Sequence, residues 1–328
     1  MDSLLFALNA VTPLILMVGI GYTLKKLGLM NQFFAKAANK LVFRLFLPIK
    51  LFLNIYKIGS LGSIDFGYIG YALSAILVLF AIAIPVAMAT TKKGDRRGPL
   101  LQVSFRSNFA LLGVALSHSL FGEEGIAAAT LLSALVVPTF NILAVISLSV
   151  FGVGGRAPSP KKILMDIVKN PLIQCVAAGL AALGLRTLFT QWDIAFRLKN
   201  IQPVFTTLTY LGEVATPLSL LVLGAQFEFS AIAALRKEII AGTLMRTLVA
   251  PLLGIGFAWL FLADHFSGAH FASFVCLFGT PAAVSSATMA QEMGSDATLA
   301  GQLLVWTTLL SPLTIFIASF LLRMAGIL

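Results

Sequence analysis

The chain is poor in charge and poorest in acid. Only 11% of its 328 residues are charged, and 13 acidic residues stand against 23 basic ones. With 59% hydrophobic residues and a mean hydropathy of +0.96, the composition excludes an ordinary soluble domain. The two cysteines, Cys175 and Cys276, both lie inside apolar runs. That argues against a disulfide framework or a thiolate metal centre and reads as two buried small side chains. There is no HExxH, no pair of membrane aspartates, no Walker-type phosphate loop and no nucleophile elbow. An ATP-driven pump is therefore excluded for this chain alone, and an intramembrane enzyme lacks its residues. No cofactor and no metal site is expected, while a coupling H+ or Na+ stays open.

What is present is a series of apolar runs of bilayer-crossing length. They lie near 4–24, 33–56, 66–90, 99–121, 125–150, 166–187, 202–224, 238–262, 268–291 and 298–324. The first run lacks a positive leader region and an A-x-A-like cleavage site, so it reads as a retained span. Lys25, Lys26, Lys36, Lys40, Lys92, Lys93, Arg96, Arg97, Arg156, Lys161, Lys162, Lys169, Arg236 and Lys237 fall in the odd-numbered connections. The even connections and the C-terminus hold only Lys57, Arg186, Arg197, Lys199 and Arg323. The positive-inside rule then places odd connections in the cytoplasm and both termini outside it. The basicity reports topology, and no nucleic-acid partner is expected.

Landmarks recur at an offset close to half the chain. Pro13 matches Pro171, Pro48 matches Pro217, Pro85 matches Pro251, Gly122 matches Gly294, and Pro138 matches Pro312. Five spans per half force the second half to enter the membrane in the opposite sense. The expected fold is thus an all-α membrane protein of ten transmembrane helices in two inverted five-helix repeats, residues 1–151 and 166–328. A cytoplasmic linker at 152–165, containing GVGGRAPSPKK, joins them. Inverted repeats with discontinuous helices are a transporter construction, with substrate bound near the midplane where the breaks meet. The stretch FGTPAAVSSATMAQEMGSD fits such a break, since Pro281 removes a backbone donor within an apolar run.

Several stretches, in order, carry a family likeness: GIGYTLKKLGLM, NKLVFRLFLP, SNFALLGVALSHSLFGEEG, KNPL, ATPLSLLVLGAQF and GTPAAVSSATMAQEMGSD. Through them the chain resembles the auxin efflux carrier family, including its bacterial carboxylate permeases, over nearly its whole length. The resemblance implies a fold similar to sodium/proton antiporters and bile-acid transporters. In it spans 1, 2, 6 and 7 form a scaffold, and spans 3–5 and 8–10 form a moving domain in which broken spans 4 and 9 cross. It also implies a multi-pass protein of the bacterial inner membrane, elevator-type alternating access, and a possible homodimer through the scaffold. By the same likeness Asn108 and Pro281 fall at the crossover. Members usually show Asn-x-Gly and then Gly-x-Pro in span 4. Here Ala110 and Ala115 replace the glycine and the proline, which leaves open whether span 4 breaks at all.

Ionisable groups within a membrane are candidates for function. Arg44, Lys50, Arg106, His118, Glu213 and Arg246 are the deepest by position. Arg44 and Glu213 occupy equivalent places before Pro48 and Pro217, and can form either a scaffold ion bridge or a gate. Arg106 can snorkel to the lipid surface or offer a fork to a carboxylate. Asn108, Thr280, Ser285 and Ser286, with Asn141 as a weaker companion, can bind substrate or pack helices. His118 reads as an exposed residue or a proton relay, and Met289 and Met293 as packing. The expected activity is secondary transport of a small organic anion, a mono- or dicarboxylate. A sodium-coupled bile-acid-type symporter is the alternative, and a channel a distant one.

Overall fold

The computed structural model describes residues 2–57, 65–151, 159–194 and 196–328. The first half of the expected linker, residues 152–158 with Arg156, lies outside the described residues. Among those described, regular structure is helical except for one antiparallel bridge between Ser107 and Ala282. The helices are α1 (Asp2–Lys26), α2 (Gln32–Leu41), α3 (Leu47–Tyr56), α4 (Phe66–Thr90), α5 (Gly94–Phe105), α6 (Phe109–Val150), α7 (Pro160–Lys169) and α8 (Pro171–Gln191). They are followed by α9 (Gln202–Gln226), α10 (Ala231–Ala234), α11 (Arg236–Leu244), α12 (Phe257–Leu262), α13 (Gly268–Gly279), α14 (Ser285–Glu292) and α15 (Ala297–Met324). A π-turn at Val42–Phe46 joins α2 to α3. Two more, Met245–Val249 and Leu252–Gly256, lie between α11 and α12.

Local chemistry sets many of these limits. Asn31, Asp65 and Asp296 accept from the backbone N–H three residues on, at 2.8, 3.0 and 2.9 Å, and so open α2, α4 and α15. Each satisfies one of the donors that a helix start leaves free. In KNPL, Asn170 accepts from Leu172 N–H at 2.9 Å and Pro171 takes the first position of α8, where its missing donor costs nothing. This pair ends α7 and starts α8, so the expected span beginning at 166 is instead two helices, and residues 160–165, expected in the linker, are helical. α6 bends sharply at Phe121 and Gly122, whose φ of +59° is the left-handed conformation glycine tolerates.

Among the described residues, six helical segments are long and apolar enough to cross a membrane. Large side chains such as Phe66, Leu260 and Phe261 point outward, which suits lipid and would aggregate in water. Without a hydrophobic drive between helices, close contact comes from small residues. Between α1 and α9, an added Cβ on Gly21 would meet the backbone of Leu221, and one on Gly224 the carbonyl of Val18. α3 packs on α8 and α9, while α13 packs on α6, and α5 on α4 and α6.

Candidate functional site

Two helices stop within the molecule and their ends meet. α5 ends at Phe105, and Arg106 takes an extended conformation before α6 starts at Phe109. α13 ends at Gly279, and residues 280–284 intervene before α14. The two interruptions pair: Asn108 N–H donates to Pro281 O at 2.8 Å, and Ala283 N–H donates to Arg106 O at 3.2 Å. Span 4 therefore breaks although Ala115 stands where the family's proline is usual. Polar groups freed in one break are satisfied by the other, as an apolar medium requires.

Arg106 lies beneath this junction. It is only 3% exposed, which overturns the snorkelling alternative. Its Nη1 donates to Gln102 Oε1 at 3.1 Å, and its Nη2 to Asn141 Oδ1 at 2.8 Å and Ser285 Oγ at 3.0 Å. Met289 Sδ lies against Nη1. Arg106, Asn141 and Ser285 thus come together, with Arg106 holding α14 to α6. Asn141 Nδ2 also donates to Val137 O at 2.8 Å.

A cavity of about 50 Å³ opens beside the junction. Leu47, Lys50, Leu51 and Asn54 of α3 and Thr216 and Ser219 of α9 form one wall; Asn108, Ala110, Leu111, Val284 and Ser285 form the other. Its volume holds a few waters. Among the described residues, Asn108 Nδ2 is buried without a hydrogen-bond partner, as is Ser286 Oγ. Lys50 Nζ donates to Thr216 Oγ1. Two larger cavities share lining residues with it. One of about 230 Å³ shares Ser219 with it and is lined by Lys25, Lys36, Asn39 and Gln291 among others. The other, of about 160 Å³, shares Asn54 and Ala110 and includes Lys57, Thr130 and Ser133.

The remaining expected residues lie elsewhere or are already engaged. Thr280 is fully buried and its hydroxyl donates to Cys276 O at 2.7 Å, closing α13. Arg44 and Glu213 are exposed, and among the described residues no ion pair joins them. Of the two alternatives for this pair the ion bridge is therefore not formed, and Glu213 lies within electrostatic reach of Lys50. His118 is exposed, with Nε2 3.7 Å from Glu123 Oε1. Cys175 and Cys276 are free thiols, Met293 Sδ lies 3.8 Å from Asn170 Nδ2, and Met289 packs as expected. Sequence reading passed over the cavity-lining Asn54, Thr216 and Ser219, and named Lys50 without a role. Their signal was a polar residue on the inward face of an apolar run, legible only once that face is known.

Comparison with known proteins agrees with this architecture. The profile of a family described as "Membrane transport protein" matches residues 6–152 and 158–319. An "Uncharacterized transporter" of Methanothermobacter thermautotrophicus is 24% identical over 92% of this chain and 94% of its own. "Uncharacterized transporter MJ1031" of Methanocaldococcus jannaschii is 25% identical over 66% of this chain and 68% of its own. With its apolar helices and paired breaks, the chain is a multi-pass membrane protein belonging to the membrane transport protein family, the auxin efflux carriers that its motifs resemble.

Proposed function

We propose that this transporter carries a small organic anion with a carboxylate headgroup, and that the anion binds in the cavity at the paired breaks. One observation carries the reading: Lys50 and Asn108, whose Nδ2 has no partner among the described residues, both line it beside the first turns of α6 and α14. Helix N-termini hold positive partial charge and free N–H groups. A lysine ammonium and an amide donor complete a set matched to a carboxylate in a low-dielectric site. Arg106 stands behind Ser285 and adds positive charge without lining the cavity.

Alternating access follows from the same walls. α3 and α9 belong to the expected scaffold, and α6 and α14 to the expected moving domain. The larger polar cavities to either side would be the two vestibules, and the cavity of about 50 Å³ the occluded site between them. Asn39 Nδ2 donates to Glu292 Oε1 at 2.9 Å and to Thr288 O at 3.4 Å, a polar latch that can open as α14 slides. An elevator motion of spans 3–5 and 8–10 past spans 1, 2, 6 and 7 fits this arrangement.

The inverted repeat gains support from Gly122 and Gly294, matched in sequence and both at positive φ, +59° and +73°. It is supported too by breaks in corresponding spans. Positive-inside bias argues for an inner-membrane protein with both termini outside the cytoplasm and the wider Lys25 and Lys36 vestibule facing in. The test is a panel of mono- and dicarboxylates added to purified protein, read as melting temperature, since a ligand of the folded state stabilises it by mass action. The reading requires a carboxylate that shifts wild type and shifts Asn108→Ala less at equal concentration; absence of any such acid removes it.

A further inference from the structure

α13 ends beside the cavity with a problem of backbone chemistry. A helix leaves the carbonyls of its last turn without intrahelical donors. Pro281 has no N–H to give Leu277 O, four residues back. The Ala282 N–H, which would have answered Phe278 O, donates instead to Thr307 Oγ1 at 3.2 Å. Both orphaned carbonyls are taken by one nitrogen: Arg246 Nη2 donates to Leu277 O at 2.9 Å and to Phe278 O at 2.6 Å.

Arg246 is 1% exposed. Among the described residues no acidic side chain pairs with it, and its Nε and Nη1 have no hydrogen-bond partner. The surrounding helix is shaped to deliver it. Arg246 stands on the π-turn Met245–Val249, a local widening that often marks a functional position. In the next π-turn an added Cβ on Gly254 would strike the Phe278 ring, so glycine lets the helix close over α13. The Leu253 and Gly254 carbonyls there accept from Tyr71 Oη at 3.1 and 3.0 Å.

Two carbonyls could be satisfied by a neutral amide, and burying an unpaired guanidinium is costly. The charge itself therefore needs a cause. The C-terminal end of a half-helix carries negative partial charge, and in carriers with discontinuous helices such ends and their unwound carbonyls coordinate coupling cations. We propose that Arg246 is a tethered cation occupying the end of α13 where a sodium ion would otherwise bind, so that transport by this protein runs independently of sodium. The inference rests on reading α13 and α14 as the broken helix of a carrier. It names Arg246 as the residue that sets ion coupling.

The experiment compares melting temperatures of the purified full chain in NaCl and in KCl at equal ionic strength, for wild type and variants. Wild type is expected to melt identically in the two salts. Arg246→Ala should melt several degrees lower in KCl and recover part of that loss in NaCl or with millimolar methylguanidinium. Arg246→Lys should stay near wild type and Arg246→Gln should fall with Arg246→Ala, because the end of α13 requires charge. Stabilisation of wild type by Na+ over K+ overturns the proposal. So does an Arg246→Gln variant as stable as Arg246→Lys, or an Arg246→Ala variant deaf to both added cations. Should Arg246→Ala fail to fold, the wild-type comparison and the Lys and Gln variants still decide. No arm uses a substrate, so failure to find a carboxylate ligand leaves this test intact.

Discussion

Asn108 N–H donates to Pro281 O at 2.8 Å, and this bond makes two helix interruptions far apart in sequence a single structural element. One main-chain polar group from each break is consumed by the other, while the Asn108 side chain lines the cavity and its buried Nδ2 has no partner among the described residues. Backbone supplies the architecture there and the side chain is free to serve a ligand.

Asn108→Ala should therefore leave the fold in place and weaken ligand binding. Loss of one hydrogen bond to a charged group, about 1.5–3 kcal/mol, corresponds to roughly ten- to hundredfold in affinity at ~1.4 kcal/mol per decade. Concentration-dependent thermal shift with the best carboxylate measures it. An unchanged apparent affinity would remove Asn108 from the site.

Lys50 supplies the cavity's charge. Lys50→Met should reduce carboxylate uptake into proteoliposomes at least tenfold, by the same estimate for a charged hydrogen bond. Glu213 opposes that charge from nearby, so Glu213→Gln should fold normally and bind anions slightly more tightly. A Glu213→Gln protein that does not express would restore the structural role that the missing ion pair removes.

Arg106→Ala is expected to act on stability before affinity. Asn141 Oδ1, Ser285 Oγ and Gln102 Oε1 would lose their donor together, at a cost of about 3 kcal/mol for buried polar groups left unmade. Arg106→Lys should recover only part, since an ammonium cannot reproduce the planar fork. The check is melting temperature without ligand, in which both variants fall and Arg106→Ala falls further.

Gly224→Leu should destabilise the protein by roughly 3 kcal/mol, because overpacking here pushes apart two backbones. The added side chain would meet the Val18 carbonyl and the Tyr22 amide nitrogen. Gly184→Ala, at a glycine with open space around a new Cβ, serves as the control and should melt like wild type.

Much of the architecture was legible because it rests on local patterns. Apolar runs place most of the helices to within a few residues, as at Phe66–Thr90, and Asn170-Pro171 announces the start of α8 by its cap. Pro281 announces the break in span 9, since a missing N–H is a fact of the residue itself. The charge bias along the chain and the ordered motifs led to the transporter family before any coordinate was needed.

The break in span 4 could not be read in this way. Arg106, Ser107 and Asn108 contain no proline or glycine, and the helix stops there because residues 281–283 offer better partners for its backbone. Tertiary packing likewise buried Arg106, turned Lys50 toward the cavity, left Arg44 and Glu213 without an ion pair among the described residues, and brought Arg246 to the end of α13. The sequence by itself determined where the chain can cross a membrane and which class of protein it is, because hydrophobic length, capping and charge bias act between near neighbours. Which polar groups meet, and with what charge, was decided only by the folded chain, because in an apolar medium each buried donor must take whatever acceptor the distant segments bring to it.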